Sequence, residues 1–273
     1  MYRVLIPVDG NEERALAQAD HAVALTESAA EAEVTVLYVV PPDSLQTDEG
    51  VDFSDMDSAV AAAEYLETNG VSVERRVEGG ETIAREIIDV ADDIAADELV
   101  MGGRKRSGVA RLLIGSVVND VFVSTDRPVT MTGTEMSIHR GTRRLLLPVD
   151  SNADRVHHQV EYVTSLPAAP DDVEATVLYV FPEQDYKGAP AHEFDDVDAA
   201  VEAADALEDH GIDTERVAVG GGVTETIVEE AETRDATGIV MGGRKRSGVQ
   251  KVLLGSIVQD VMLSADRPVT LTG

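Results

Sequence analysis

Glycines and bases stand side by side in one short stretch, and the stretch occurs twice. "MGGRKRSGVARLLIGSVVNDV" begins at Met101, and "MGGRKRSGVQKVLLGSIVQDV" begins at Met241. In each copy three consecutive bases follow two glycines, and a Gly-Ser pair then precedes a helical pattern. The first turn of a helix offers unpaired backbone N–H groups at the positive end of the helix dipole. This spacing therefore predicts a phosphate-binding site.

The residues of the first copy can each be given a role in this anion site. Ser116 is expected to be the N-cap of the helix, with free N–H groups at Val117 and Val118. Gly115 lets an oxygen approach the backbone closely, and the bases at 104–106 add positive charge. The alternative is a surface loop with ordinary capping. Two nearly identical copies in a chain that has otherwise diverged favour the binding interpretation.

The charge of the chain excludes one class of partner and indicates an environment. Asp and Glu number 52 against 22 Lys and Arg, which gives a formal net charge of −30. A nucleic-acid binder needs a basic face, whereas the bases here are scarce and concentrated in the two loops. The acids are spread along the whole sequence, which argues against an acidic interaction tail. We expect a surface adapted to high salt, of the kind found in extreme halophiles.

Several other functions find no support in the pattern. The sequence has no cysteine, which excludes disulfides and thiolate chemistry. It contains neither a P-loop motif nor G-x-G-x-x-G after the first strand, and no Ser-His-Asp arrangement or close carboxylate pair can be argued. His157 and His158 lack metal-ligand spacing and are expected on an exposed helix. The acidic segments 41–55 and 182–196 are expected to be solvated lids rather than metal sites.

The composition indicates a folded protein outside membranes. With 43% hydrophobic residues the 273-residue chain can build real cores. No run approaches the ~18 apolar residues of a spanning helix, and a strand-like segment follows Met1 directly. The expectation is a soluble cytoplasmic protein that binds neither membrane nor nucleic acid.

Three further segments show that the whole chain is a tandem duplication. "VLIPVDG" (4–10) returns as "LLLPVDS" (145–151), and "VTVLYVVP" (34–41) returns as "ATVLYVFP" (175–182). "DRPVTMTG" (126–133) returns as "DRPVTLTG" (266–273). The offset is 141 residues early and 140 late, so a single deletion separates the copies. We expect a domain at 1–133, a linker at 134–142 and a second domain at 143–273.

Within each copy, β-rich runs alternate with helical patterns. In the first copy the pattern predicts strands near 2–8, 33–40, 71–77, 97–102 and 128–132, and helices near 11–29, 55–69, 81–95 and 116–124. Such alternation implies right-handed crossovers and a doubly wound, Rossmann-like α/β fold with a five-stranded parallel sheet in each domain. These sheets bind ligands beyond the carboxyl ends of the strands, where the strand order reverses.

At this point the chain resembles a known family. A first strand ending in "PVD", a second ending in "LYV", and "MG", a loop and "GS" after the fourth strand are similar to the universal stress protein family. Both halves share these features, so the resemblance covers nearly the whole chain. It implies an adenine-nucleotide site, with ATP as the first candidate and Mg²⁺ as its companion ion. It also implies that the two domains associate through their fifth strands as a pseudo-dimer, with a homodimer of chains as a further assembly.

The resemblance places specific residues around the nucleotide. Beside the adenine and ribose it places the first-strand residues Pro7, Val8, Asp9, Pro148, Val149 and Asp150. Against the base it places Val39 and Val180. Near the ribose and first phosphate it places Met101, Gly102, Met241 and Gly242. Around the phosphates it places Gly115, Ser116, Val117, Gly255, Ser256 and Ile257, with Arg104, Lys105, Arg244 and Lys245 in the loops. The alternative for each aspartate is a turn-forming role before the next helix.

The chain departs from the family pattern at one position of each copy. Nucleotide-binding members carry G-x-x-G, nine residues, and then G-[ST]; here Lys105 and Lys245 stand at the second glycine. The lysine either contacts a phosphate or fills the space that the phosphate needs. Three functions therefore remain: an adenine-nucleotide-binding stress-response module, a scaffold that binds no nucleotide, and a slow ATP hydrolase.

Overall fold

The computed structural model describes residues 1–41, 51–105, 112–113, 115–182, 193–243 and 254–273. Of residues 104, 105, 112 and 113 it describes the backbone alone. The chain divides into two compact units, Met1–Ile138 and His139–Gly273. Each unit is described by itself below.

The first domain alternates strands and helices along its whole length. Its elements are β1 (Tyr2–Val8), α1 (Glu12–Thr26), β2 (Ala32–Val40), α2 (Asp57–Thr68), β3 (Ser72–Gly79), α3 (Ile83–Asp93), β4 (Glu98–Gly102), the two-residue strands β5 (Arg104–Lys105) and β6 (Leu112–Leu113), α4 (Ser116–Ser124) and β7 (Val129–Thr132). A 3-10 turn, Phe53–Asp55, precedes α2. The predicted strands and helices are confirmed, with ends that differ by at most three residues.

The second domain repeats the order. Its elements are β8 (Arg143–Val149), α5 (Ala153–Ser165), β9 (Val173–Pro182), α6 (Asp198–Asp209), β10 (Asp213–Gly221), α7 (Val223–Thr233), β11 (Gly238–Gly242), α8 (Ser256–Ser264) and β12 (Val269–Thr272). A 3-10 turn, Phe194–Asp196, precedes α6.

All strand pairs within each five-stranded sheet are parallel, which confirms the doubly wound α/β prediction. The order is β3-β2-β1-β4-β7 in the first domain and β10-β9-β8-β11-β12 in the second. In the first domain α1 packs against α2, and α3 packs against α4. The central strands are apolar on both faces because helices cover both; Val4, Leu5 and Ile6 are fully buried. The strand order reverses between β1 and β4, and between β8 and β11, where a ligand crevice is expected.

The two central strands separate toward their carboxyl ends. The described pairing of β1 with β4 consists of Val4 with Glu98 and Leu5 with Leu99. Both strands run on for three further residues, to Val8 and Gly102. Pro7 has no N–H to contribute to a ladder at this point. The strands therefore open here, and their carbonyl groups need other partners.

Candidate functional site

A cleft of 270 Å³ opens at the carboxyl end of the first domain's sheet. It lies beyond β1, β2 and β4, with α3 and the start of α4 on its sides. The structure brings nine of the sequence-predicted site residues together around it: Pro7, Val8, Asp9, Val39, Met101, Gly102, Gly115, Ser116 and Val117. The remaining described lining residues are Gly10, Arg14, Gln18, Tyr38, Pro41, Ile83, Ile87 and Val118.

The floor of the cleft is built by a buried glutamine. Gln18 of α1 is 2% exposed, and its Nε2 donates hydrogen bonds to the carbonyl oxygens of Pro7 at 2.9 Å and Val100 at 2.7 Å. Both carbonyls belong to the central strands where these separate. The side-chain amide thus replaces ladder bonds that the diverging strands cannot make, and it fixes the two strand ends that carry Asp9 and Gly102.

Asp9 is held by both its turn and an ion pair. Its Oδ1 accepts from the backbone N–H of Asn11 at 3.1 Å, and its Oδ2 accepts from Nη2 of Arg14. Asn11 is the N-cap of α1, and its side chain accepts from the N–H of Arg14 at 2.8 Å. The turn-forming alternative is therefore confirmed as a local role. It is compatible with a place at the cleft, because the same aspartate lines the cavity.

The start of α4 borders the cleft with donors that have no backbone partner among the described residues. The first intrahelical bond runs from the N–H of Asn119 to the carbonyl of Gly115 at 3.1 Å. The N–H groups of Ser116, Val117 and Val118 precede that bond, and all three residues line the cavity. Their position at the positive end of the helix dipole suits an anion.

The predicted N-cap was wrong by one residue. The N-cap is Gly115, with φ −69° and ψ 158°, and Ser116 is the first helical residue; no side chain caps this helix. The second domain is alike, with Gly255 as the N-cap of α8 at φ −58° and ψ 147°. The cap depends on where the backbone turns into helical angles, and glycine is itself acceptable there. Without a capping side chain, the first N–H groups keep their capacity to bind an anion.

The two glycines of the first cleft serve different purposes. A Cβ placed on Gly102 would lie 2.9 Å from Oε1 of Gln18 and 3.4 Å from Cβ of Arg14, so α1 requires a glycine on β4. A Cβ placed on Gly115 would meet no atom within 4 Å. The space beside Gly115 is open, as close approach of an oxygen to the backbone requires.

The basic loop after β4 is described in part. The backbones of Arg104 and Lys105 pair antiparallel with Leu113 and Leu112, which makes the start of the loop a short hairpin. The side-chain contacts of Arg104 and Lys105, and residues 106–111, lie outside the described part of the structure. Arg244 and Lys245 of the second copy also lie outside it.

A smaller cleft of 130 Å³ occupies the matching place in the second domain. Eight of the predicted residues line it: Pro148, Val149, Asp150, Met241, Gly242, Gly255, Ser256 and Ile257. Nε2 of Gln159 donates to Pro148 at 3.0 Å and Val240 at 2.8 Å, and Arg155 pairs with Asp150. Val180, predicted to contact the base, is not among the described residues that line this cleft.

The sequence interpretation missed the polar floor of both clefts. Arg14 and Gln18 follow Asp9 by five and nine residues, and Arg155 and Gln159 follow Asp150 at the same distances. This repeated D-x4-R-x3-Q spacing was a readable signal, because both copies keep the aspartate before the helix and the arginine and glutamine on it. Ile83 and Ile87 of α3, which the sequence interpretation did not name as site residues, also line the first cleft.

The remaining expectations concern metals and histidines. His157 and His158 lie exposed on α5, as predicted. Over the described ranges, no three His, Asp or Glu side chains cluster as a metal site would require. None of the described helices combines the length and apolarity needed to cross a bilayer.

Comparison with known proteins places this geometry in a family. The model of the universal stress protein family matches residues 1–133 and 141–273. A universal stress protein from Archaeoglobus fulgidus shares 21% identity at a TM-score of 0.73, over 99% of this chain and 97% of its own. A protein of unknown function from Pseudomonas aeruginosa shares 16% identity at a TM-score of 0.67, over 100% and 92%.

A second structure from A. fulgidus, a universal stress protein in complex with dAMP, shares 20% identity at a TM-score of 0.38, over 48% of this chain and 98% of its own. A search of curated protein sequences returned no match. Since the family model matches both halves, the chain belongs to the universal stress protein family, whose domain it carries twice.

Proposed function

We propose that this protein binds an adenine nucleotide, with ATP as the first candidate, and acts as a stress-response or regulatory module. The observation that carries the proposal is the start of α4, where three N–H groups that have no backbone partner among the described residues border a cleft at the point of strand reversal. A phosphate would accept from these groups at the positive end of the helix dipole. Open space beside Gly115 would admit its oxygens.

The rest of the cleft suits a nucleoside. Apolar side chains from three elements, Val39, Ile83 and Ile87, form walls against which a flat base can lie. Tyr38 adds a ring at the same end. Polar groups sit at the floor, where the Asp9–Arg14 pair offers both an acceptor and a donor to ribose hydroxyls. The cleft thus offers an apolar wall for a base, a polar floor for a ribose and an anion-binding helix start for a phosphate.

Hydrolysis of the nucleotide is less well supported than binding. It requires a positioned base or a metal-held water. Asp9, a carboxylate of the first cleft, is committed to Asn11 and Arg14. A bound ATP would bring its own Mg²⁺ through its phosphates. We therefore propose a binding protein rather than an enzyme, with turnover at the background rate.

The two domains are proposed to form an intramolecular pair, in the cytoplasm of an organism adapted to high salt. This assignment rests on the family's pairing through the fifth strand and on the acidic composition. The competing function is a scaffold that binds no nucleotide, with the basic loops as contact surfaces.

Nucleotide retention separates the binding protein from the scaffold. Mass spectrometry of small molecules released from protein purified at multimolar KCl should detect an adenine nucleotide. Equilibrium dialysis should then show ATP binding that the double variant Gly115→Val with Gly255→Val loses. An empty protein that takes up no ATP at millimolar concentration would overturn the proposal in favour of the scaffold. Turnover above the protein-free background would instead support the hydrolase.

A further inference from the structure

The two clefts differ in size although their phosphate ends match. The first holds 270 Å³ and the second 130 Å³. Pockets for ligands the size of a nucleotide hold about 300–1,000 Å³. The first cleft is near the lower end of that range, and the second is less than half as large. Both nevertheless retain the Gly-Ser helix start, the aspartate–arginine pair and the glutamine.

The difference lies at the end where the base would bind. In the first domain Tyr38, Val39 and Pro41, all at the end of β2, line the cleft. Among the described residues that line the second cleft, none comes from the end of β9. Its described lining comes from β8, α5, α7, β11 and α8. The second cleft therefore has the anion-binding parts without the strand that would hold the base.

One substitution between the copies changes the surroundings of the tyrosine. Tyr179 of β9 corresponds to Tyr38 of β2, and its ring lies edge-on to the ring of Phe181, with centroids 4.8 Å apart and an interplanar angle of 65°. Edge-to-face pairs of this geometry are favourable. Tyr179 and Phe181 together border a separate hollow on the side of α6. The first domain has Val40 in place of Phe181, so Tyr38 has no such ring two residues on and borders the cleft.

A second difference concerns the mouth of the cleft. The hydroxyl of Ser58 on α2 donates to the backbone carbonyl of Asp9 at 2.6 Å. The corresponding residue of α6 is Ala199, which has no hydroxyl to make this contact. The turn that carries the aspartate is thus anchored to a second helix in the first domain, which pre-organises that cleft for a ligand.

From these differences we infer that the chain binds one adenine nucleotide, in the cleft of the first domain, and that Phe181, by holding the ring of Tyr179 at a separate hollow, leaves the second cleft without the side chain that would contact a base. This inference rests on the proposed function. It adds the number of nucleotides bound per chain and names Phe181 as the residue that determines this number. The second cleft keeps its helix start and can accept an isolated phosphate group.

A matched pair of single variants tests the occupancy. Gly115→Val and Gly255→Val place the same side chain at equivalent helix starts, where φ is −69° and −58°, angles that valine adopts. Titration of the full chain with ATP should give one site. Gly115→Val should weaken ATP binding at least tenfold, and Gly255→Val should leave it within twofold of the parent.

Each alternative result has a distinct meaning. Two ATP per chain, or equal losses in the two variants, would overturn the single-site inference and leave the proposed function intact. No ATP binding by the parent chain would overturn both. Circular dichroism of each variant establishes that a loss of binding is not a loss of fold.

Phe181→Val tests the residue that sets the occupancy. The variant restores the valine of the first copy, so it should release Tyr179 and create a second, weaker ATP site. Its expected stoichiometry is two. A stoichiometry that stays at one would show that Phe181 does not determine whether the second cleft binds a nucleotide, and it would overturn that part of the inference.

Discussion

Nε2 of Gln18 lies 2.7 Å from the carbonyl oxygen of Val100, to which it donates a hydrogen bond. The same nitrogen donates to Pro7, so one side chain of α1 connects both central strands at the point where they separate. Gln159 makes the same two contacts in the second domain. The glutamine is therefore part of what shapes the crevice, and it contributes to stability as well as to the site.

Replacement of this glutamine should destabilise the domain. Gln18→Met keeps the length of the side chain but leaves two carbonyls without their donor. We expect the free energy of unfolding to fall by about 1–3 kcal/mol for each unpaired buried carbonyl. Urea unfolding measures the change. Gln259→Met is the control, because Gln259 is half-buried and donates one hydrogen bond, to Leu254 at 3.1 Å. An equal loss in both variants would contradict the special role of Gln18.

The two cleft glycines should respond differently to alanine. Gly102→Ala forces a methyl group to 2.9 Å from the Gln18 side chain, so we expect a loss of about 1–3 kcal/mol in unfolding free energy. Gly115→Ala enters open space. At this position alanine stabilises the fold by lowering the entropy of the unfolded chain, and it destabilises the fold because it is a poor N-cap. Since the two effects oppose each other, the free energy of unfolding should change by less than about 1 kcal/mol. Thermal melts of the two variants would show equal shifts if this interpretation were wrong.

The arrangement of the sheet could be predicted from sequence because it depends on local patterns. Buried strands such as "VTVLYVV" are apolar on both faces, and the alternation with helices restricts a parallel sheet to a few topologies. The helix-start pattern located Gly115 at the crevice, and the resemblance to the family placed Asp9 there.

Arg14 and Gln18 were not predicted as site residues because their roles depend on partners outside their own helix. Gln18 bonds a carbonyl 82 residues away, and periodicity along a helix carries no information about such a contact. The cap was misplaced at Ser116 because residue preference ranks serine above glycine, whereas the backbone angles select Gly115. Val180 was placed by analogy with Val39, and the analogy ignored the change from Val40 to Phe181 beside it.

Low salt should destabilise the protein. The negative side chains of a protein with a net charge of −30 repel one another. The distance over which salt screens this repulsion grows from about 3 Å at 1 M salt to about 30 Å at 0.01 M. We expect the melting temperature to fall steeply between multimolar and millimolar KCl. Sucrose is the control, since it favours the compact state without screening charge. A flat profile in KCl would contradict adaptation to high salt.

The loop lysines should strengthen ATP binding through charge. On the charged-contact hypothesis, Lys105→Gly with Lys245→Gly lowers ATP affinity about tenfold, or ~1.4 kcal/mol, and lowers AMP affinity less. If one cleft binds, Lys105→Gly alone reproduces the effect. Lys187→Gly is the control for net charge, because Lys187 lies in an acidic segment of the sequence. A gain of ATP affinity in the glycine variant would show that the lysine fills the phosphate space.

The long reach of the Gln18 contact has a consequence for synthesis of the chain. The first cleft cannot close until β4 and the first turn of α4 exist, so the nascent protein has no site while only β1, β2 and β3 have been made. Once Val118 has been added the cleft is complete, and all of the second domain, His139–Gly273, is still to come. Domains usually fold as units in the order of their synthesis. A ligand captured once β7 has also been made would hold the first domain in its final form before the second domain is translated.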